Sequence, residues 1–366
     1  MLILSADIAI NNRKIKTILQ DAEKSAAAVH LIYVNDAAEG ITRIKKRNGF
    51  VYRQGKTPVT DKEVLQRIKK LVIPPAWEKV WICPLENGHL QATGLDARKR
   101  KQYRYHSLWS SLRNHTKFYR LHALGAAMPR VRQQIEKDLA LPGMPQEKVL
   151  AAVVSLMERT SIRVGNSMYE KLYGSFGLTT LKDQHVTIKG SRLQFVFKGK
   201  KGVSHSIGLN NKRLATIVKQ CRDIPGKELF QYYDESGHRH SIDSGMVNDY
   251  LKTISGSDFT AKDFRTWAGT VHALAAFCEM EPCDTIAGIK KNIVCMLDQV
   301  ADHLGNTRSV CKKYYVHPAL IQLYENKSLQ HYLLKMELPG PGNERTGLAR
   351  EEQLLMRILE KEKLTI

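Results

Sequence analysis

The chain has 366 residues, 43% of them hydrophobic, which is enough to bury sizeable cores and too long for a typical single domain, so two domains are expected. Lys and Arg number 57 against 36 Asp and Glu, a formal charge of +21 that points to a polyanionic partner. Anionic membranes attract the same charge, but no apolar run approaches the roughly 18 residues that span a bilayer, and no membrane partner is expected.

Residues 1–30 read as an N-terminal extension. Met1 to Ile10 carries Asp7 inside a short apolar stretch with no basic region before it, unlike a signal peptide. Residues 31–110 read as a small β-rich α+β domain. Runs such as Leu31-Ile32-Tyr33-Val34 and Phe50-Val51-Tyr52 alternate with the turn residues Asn48-Gly49 and Gln54-Gly55. One helix interrupts them: Thr60 and Glu63 have capping-box spacing, Val64, Leu65, Ile68 and Leu71 share a face, and Pro74-Pro75 closes it. Trp77 and Trp81 beyond it read as core.

Residues 111–336 read as a larger, mainly helical domain with amphipathic stretches at Leu121 to Leu139 and Glu147 to Met157. One β patch breaks it. Leu193, Phe195 and Phe197 alternate, Gly199-Lys200-Lys201-Gly202 makes a turn, and Val203 returns, so a hairpin tip presents Lys200. Residues 337–366 open with Pro339-Gly340-Pro341-Gly342 and read as an appended helical tail.

Several chemistries lack their residues. No clustered carboxylates suit divalent ions in a basic setting, and Gly49 to Gly55-Lys56-Thr57 has five intervening residues where a nucleotide phosphate loop has four. The six cysteines are scattered and read as reduced cytosolic thiols; Cys278 and Cys283 have no companion ligands for zinc. Neither metal, nucleotide nor other cofactor is expected. An enzyme acting on phosphodiesters must then neutralise the transition state with its own cations.

Four segments supply such groups: Ile162-Arg163-Val164-Gly165, Phe197-Lys198-Gly199-Lys200, Lys262-Asp263-Phe264-Arg265-Thr266, and Leu304-Gly305-Asn306-Thr307 leading to Tyr314-Tyr315-Val316-His317-Pro318. Singly, each has an ordinary reading as solvated charge. In this order, with the strings Tyr173-Gly174-Ser175-Phe176-Gly177-Leu178-Thr179-Thr180-Leu181 and Trp267-Ala268-Gly269-Thr270, they resemble the type IB DNA topoisomerases of the compact bacterial and poxvirus-like kind, over about Leu31 to Leu329. The resemblance implies a C-shaped clamp around double-stranded DNA, one-strand cleavage through a 3′-phosphotyrosyl intermediate, strand rotation and religation without ATP or metal. It also implies a monomer in the cytoplasm, associated with the nucleoid.

Carried over by motif, the transition-state arginines fall on Arg163 and Arg265, the acid lysine on Lys200, an assisting cation on Lys262, and the nucleophile on Tyr315, leaving Tyr314 for packing. Poxviral and eukaryotic relatives have histidine where this chain has Asn306. An amide can donate a hydrogen bond to a phosphate oxygen but cannot carry charge. In the first domain, Lys101-Gln102-Tyr103-Arg104-Tyr105-His106 resembles the family's DNA-facing strand. Gln102, Tyr103 and Tyr105 are expected to point the same way, with Arg98 and Lys101 on phosphates. Arg43, Lys45, Lys46 and Arg47 could grip the backbone or be a solvated run.

Two rivals remain at this level. A tyrosine recombinase shares the Arg, Lys, Arg, Tyr arrangement but usually has His at the Lys262 position and His or Trp at that of Asn306. A non-catalytic architectural DNA binder explains the charge but not the ordered set ending at Tyr315.

Overall fold

Alternating side chains from Ile41 onward build an antiparallel sheet, because successive residues of a strand face opposite sides and one side can be buried. In the computed structural model, which describes residues 2–5, 8–10, 21–47, 49–97, 99, 101–281, 283–334 and 346–362, the chain forms two compact units, one built on Met1–Lys117 and the other on Phe118–Glu362. The fold is mixed α+β.

The first unit opens with β1 (Leu2–Ser5) paired antiparallel to β2 (Ile8–Ile10), followed by α1 (Ala22–Ala27), capped by Asp21. Its main sheet comprises β3 (Ile41–Lys46), β4 (Gly49–Gln54), β5 (Thr57–Pro58), β6 (Glu78–Ile82), β7 (Leu90–Leu95) and β8 (Lys101–Tyr105), in the order β5-β4-β3-β6-β7-β8. The expected strand at Leu31–Val34 reduces to one bridge, between Ile32 and Gly88.

The helix of this unit, α2 (Lys62–Lys70), starts one residue later than the capping-box reading places it. Asp61, not Thr60, supplies the cap, its Oδ1 accepting from the backbone N–H groups of Glu63 at 2.8 Å and Val64 at 3.3 Å. Ile68 of α2 then packs on Ile41, Val80, Ile82 and Ala92, with Trp77 at the margin. Trp81 covers Gly40, where a Cβ would come within 2.2 Å of the indole nitrogen. Arg67 ties α2 to the sheet by donating to Gln91 Oε1 at 2.9 Å and to the Cys83 carbonyl at 2.7 Å.

The division between the units falls within α3 (Ser107–Leu139). The second unit continues with α4 (Gln146–Thr160), α5 (Ser167–Tyr173), and a three-stranded sheet of β9 (Val186–Lys189), β10 (Arg192–Lys198) and β11 (Ser204–Asn210), with β10 central. Leu193, Phe195 and Phe197 of β10 are buried, as their alternation requires. Next come α6 (Lys212–Asp223) and a small hairpin of β12 (Gln231–Tyr233) and β13 (Arg239–Ser241) that has no counterpart in the sequence reading. The helices α7 (Ser244–Ser255), α8 (Ala261–Glu279), α9 (Ile286–Leu304), α10 (Arg308–Tyr314), α11 (Pro318–Glu325), α12 (Leu329–Leu334) and α13 (Arg350–Glu362) complete the unit.

α13 is not the appended tail that its Pro-Gly entry suggests. Leu354, Leu355, Ile358 and Leu359 are all buried in the main core, and burial of each such side chain is worth about 1.5–3 kcal/mol. Glu352 is buried as well, accepting from Trp267 Nε1 at 2.9 Å and from both terminal nitrogens of Arg132 at 2.7 and 2.8 Å. Gly125 of α3 lets the layers close, since a Cβ there would overlap Met356 Sδ at 2.3 Å and the Trp267 ring at 2.4 Å.

Candidate active site

The site is assembled around the end of α4. Ser161 caps that helix in the left-handed conformation, with φ of 53°, and turns the chain into Ile162-Arg163-Val164-Gly165. The backbone of this segment is clamped by the Gly177-Leu178-Thr179 string, with Leu178 N donating to the Arg163 carbonyl at 2.9 Å and Thr179 N to that of Val164 at 2.6 Å. Gly177 has to be glycine for this approach, because a Cβ would stand 2.5 Å from the Arg163 carbonyl oxygen.

The Arg163 side chain reaches the end of α9, 143 residues along the chain. There its Nη2 donates to Asn306 Oδ1 at 2.6 Å and to the Gly305 carbonyl at 3.3 Å. Asn306 is fixed by its own backbone N–H on the Ala301 carbonyl at 2.9 Å, following the left-handed Gly305. In this arrangement the amide accepts from Arg163, so it orients the guanidinium as well as offering its own N–H.

Arg265, on α8, is almost fully buried. Its Nη1 donates to the Ser161 carbonyl and its Nη2 to the Leu304 carbonyl at 2.8 Å, so α8 is tied to the ends of α4 and α9 together. Burial and then the like charge of Arg163 push its pKa down to about 10, still leaving it protonated at neutral pH. Burial also lowers that of Arg163. The buried Arg265 Nε has no hydrogen-bond partner among the described residues.

Tyr315 follows α10 and faces this pair. The Arg265 guanidinium lies 5.4 Å from its ring centroid, and the Tyr315 side chain opposes the lowering of the pKa of both Arg163 and Arg265. Its carbonyl accepts from Thr270 Oγ1 at 3.1 Å, which seats it on α8 one turn beyond Arg265. Tyr314 does not pack as expected. It is 37% exposed, with Lys313 Nζ 5.3 Å from its ring, because consecutive residues at a helix end project in different directions.

Arg163, Arg265, Asn306 and Tyr315 thus converge. Lys200, at the turn joining β10 to β11, and Lys262, in the first turn of α8, are exposed, and neither ammonium has a partner among the described residues. His205, on β11 beside the Lys200 turn, carried no local signal and is recognisable only from its three-dimensional neighbours, whereas Gly269, within the Trp267-Ala268-Gly269-Thr270 string, lies beneath Tyr315.

In the first unit, Lys101, Tyr103 and Tyr105 share one face of β8. The tyrosine rings stack at 5.9 Å and 8°, both rings are exposed, and Lys101 Nζ sits 5.7 Å from the Tyr103 ring while pairing with Asp36 at 2.6 Å. Gln102 does not join them. Strand alternation sends it to the other side, where its Nε2 donates to Asp96 Oδ2 at 2.9 Å. Arg43 is committed internally, donating to the carbonyls of Ile73, Pro74 and Trp77 at 3.2, 3.0 and 2.7 Å, so it is neither a free grip nor a solvated charge. Arg98 lies outside the described residues.

Two guanidiniums, one of them buried, gathered beside one tyrosine are the equipment of a phosphoryl-transfer site with an oxygen nucleophile. Comparison with known proteins makes the class specific. Residues 99–337 match the family model of the eukaryotic DNA topoisomerase I catalytic core, and residues 49–96 match that of the bacterial DNA topoisomerase IB N-terminal domain. The DNA topoisomerase 1B of Acanthamoeba polyphaga mimivirus is 32% identical over 297 residues, covering 79% of this chain and 88% of the viral one. The DNA topoisomerase I of Monkeypox virus and the DNA topoisomerase 1B of Vaccinia virus (strain Copenhagen) are each 25% identical over 283 residues, covering 74% of this chain and 85% of theirs. The chain belongs to the type IB DNA topoisomerase family, a family of isomerases that act on DNA.

Proposed function

We propose that Tyr315 is the nucleophile by which this topoisomerase opens one strand of supercoiled DNA, with Arg163 and Arg265 as transition-state cations, Lys200 as general acid, Lys262 assisting it and Asn306 on a non-bridging oxygen. The observation that carries the reading is the meeting of Arg163, Asn306, Arg265 and Tyr315, with Arg163 bonded to Asn306 and the Arg265 guanidinium 5.4 Å from the Tyr315 ring. Cations beside the attacking oxygen stabilise the negative charge that builds up on the phosphate as the new bond forms. The same cations hold the scissile phosphate in bidentate fashion, and the unpaired Arg265 Nε is a further donor whose burial cost a bound phosphate oxygen relieves.

In the forward step the Tyr315 oxygen bonds to phosphorus, the bond from phosphorus to the 5′ oxygen breaks, and Lys200 gives its proton to that oxygen. The Tyr315 proton goes to solvent. The 3′-phosphotyrosyl bond retains much of the energy of the phosphodiester, so attack by the free 5′ hydroxyl reseals the strand without ATP. Between the two steps the duplex beyond the nick rotates. A C-shaped clamp that holds DNA mainly through charge permits this, with Lys101, Tyr103 and Tyr105 on one strand face, and with Gln102, Arg98 and the net charge of +21 contributing elsewhere. We place the protein with the compact bacterial enzymes, as a monomer acting on cytoplasmic, nucleoid-associated DNA; its match to the bacterial N-terminal domain and its six free thiols support that placement.

The test is relaxation of supercoiled plasmid by wild type and Tyr315→Phe, in chelator and without ATP, followed by mass spectrometry of the residue left on the 3′ end. The expected result is relaxation by wild type, binding without nicking by the variant, and an adduct on Tyr315. An adduct on another residue, or relaxation that depends on added metal, overturns the assignment.

A further inference from the structure

His205 occupies a position whose consequences extend beyond the residues so far assigned. On β11 it pairs in register with Phe197 of β10, and the two rings stack at 5.0 Å and 22°. Its imidazole also lies against two glycines. A Cβ on Gly199 would stand 2.6 Å from the ring at Cδ2 and Nε2, and a Cβ on Gly305 would stand 2.3 Å from Cε1. Gly199 immediately precedes Lys200, and Gly305 immediately precedes Asn306. Phe197, itself buried in the core, backs the ring from below.

The turn that His205 supports has little of its own to define it. Gly199 N donates to the Val203 carbonyl at 2.7 Å and Gly202 N to the Gly199 carbonyl at 3.0 Å, while Lys201 adopts a left-handed φ of 64°. Lys200 is exposed, and its ammonium has no partner among the described residues to hold it over the centre. The ring is the piece that joins this tip to the Asn306 loop. Burial, followed by the charges of Arg163 and Arg265, lowers its pKa, so it is a neutral, flat spacer at neutral pH rather than a third cation.

We infer that His205 is a positioning residue for the cleavage step, wedging the Lys200 turn against the Gly305-Asn306 loop so that the general acid meets the departing 5′ oxygen. The inference rests on the acid role given to Lys200 under the proposed function. It makes a chemical claim that a merely structural role does not: loss of the wedge removes proton donation while leaving phosphate binding and nucleophilic attack in place.

The experiment uses single-turnover cleavage of two suicide duplexes, one with an ordinary scissile phosphate and one whose bridging 5′ oxygen is replaced by sulfur. A thiolate, whose conjugate acid has a pKa of about 8.5, leaves without a proton donor, whereas an alkoxide does not. For the full chain carrying His205→Ala, cleavage of the oxygen duplex is expected to slow roughly 100-fold, the low end of what acid catalysis supplies, and cleavage of the sulfur duplex by less than about threefold. His205→Phe, which keeps a flat ring, should recover at least about tenfold of the loss on the oxygen duplex. Equal slowing on both duplexes means a general structural role and overturns the inference, as does a His205→Phe no better than His205→Ala. Lys200→Ala is run beside them: if sulfur rescues Lys200→Ala but not His205→Ala, only the positioning role falls, and if it rescues neither, the acid role of Lys200 falls and takes the inference with it.

Discussion

Gly269 lies directly under Tyr315: a Cβ at position 269 would come within 2.8 Å of the Tyr315 carbonyl oxygen and 3.0 Å of its Cβ. Both atoms belong to the part of the tyrosine that cannot swing away, and Thr270 Oγ1 pins the same carbonyl. Gly269→Ala therefore has to push Tyr315, the proposed nucleophile, off α8. A displacement near 1 Å at a reacting group costs on the order of a hundredfold, so single-turnover cleavage should fall by about 10- to 100-fold while DNA affinity, read by fluorescence anisotropy, stays near wild type. Cleavage at the wild-type rate would show that Tyr315 is not seated where its reactivity depends on α8.

Asn306 holds Arg163 through a 2.6 Å hydrogen bond. Asn306→Ala loses that acceptor along with its own donor, and relaxation should drop by something like a hundredfold, in line with deletion of one donor to a developing oxyanion. Asn306→His, which can still donate to phosphate, should restore most of the loss, with an altered pH profile because imidazole can carry charge. Full relaxation by Asn306→Ala removes this residue from the site.

Glu352 connects the last described helix to Trp267, two residues beyond Arg265. Burial by itself raises the pKa of its carboxyl, but the hydrogen bond and charge of Arg132 outweigh burial and hold it below the ordinary range. Glu352→Ala leaves Arg132 with one carboxylate partner, Glu158 at 2.6 Å, beside the Gly347 carbonyl, and should cost about 3 kcal/mol, the low end for breaking a buried pair. Because the folded value is depressed, the stabilisation is present above the unfolded value of about 4.3 and is lost as pH falls through the folded one. Urea titrations of wild type and variant at neutral pH and below pH 4 should converge in the acid; a constant difference contradicts the ion-pair account.

His303 stacks on His272 at 4.3 Å and meets Ser161 Oγ at 3.1 Å through its Nε2, on the residue whose carbonyl receives Arg265. Part of its surface is exposed, yet desolvation, followed by the like charges of His272 and Arg265, brings its pKa down to about 4. The unfolded chain takes up the proton near 6.5, before the folded one does, so stability should decline from about pH 6.5 towards 4. His303→Gln should flatten that part of a thermal-melting profile; an unchanged slope assigns the acid sensitivity to other groups.

The four chemistry-bearing segments are legible in the chain because each is a short contiguous string, and the β10-β11 hairpin is legible because period-two burial and a Gly-rich turn are local properties. α2 and α4 are legible for the same reason, through period-3.6 apolar faces. The difficulties begin where a choice between equivalent local partners decides the outcome. Asp61 displaces Thr60 as a cap by taking the Glu63 N–H, and that of Val64 with it, from one residue later. Arg43 sits among the basic residues of β3 but spends its donors on three carbonyls of the loop after α2. The orientation of Gln102 was within reach of strand alternation, which sets it opposite Tyr103 and Tyr105.

By itself the sequence determined which candidate side chains are present, their order, and the hairpin that carries Lys200, since these depend on identity and near-neighbour spacing. Only the tertiary structure decided that Arg163 lies against Asn306 across 143 positions, that Tyr315 is seated on α8 over Gly269, that α13 belongs to the core, and that His205 stands between two glycines. Such contacts join residues far apart in the chain. They are selected by how buried faces and left-handed turns fit together in space, and no local period encodes that fit.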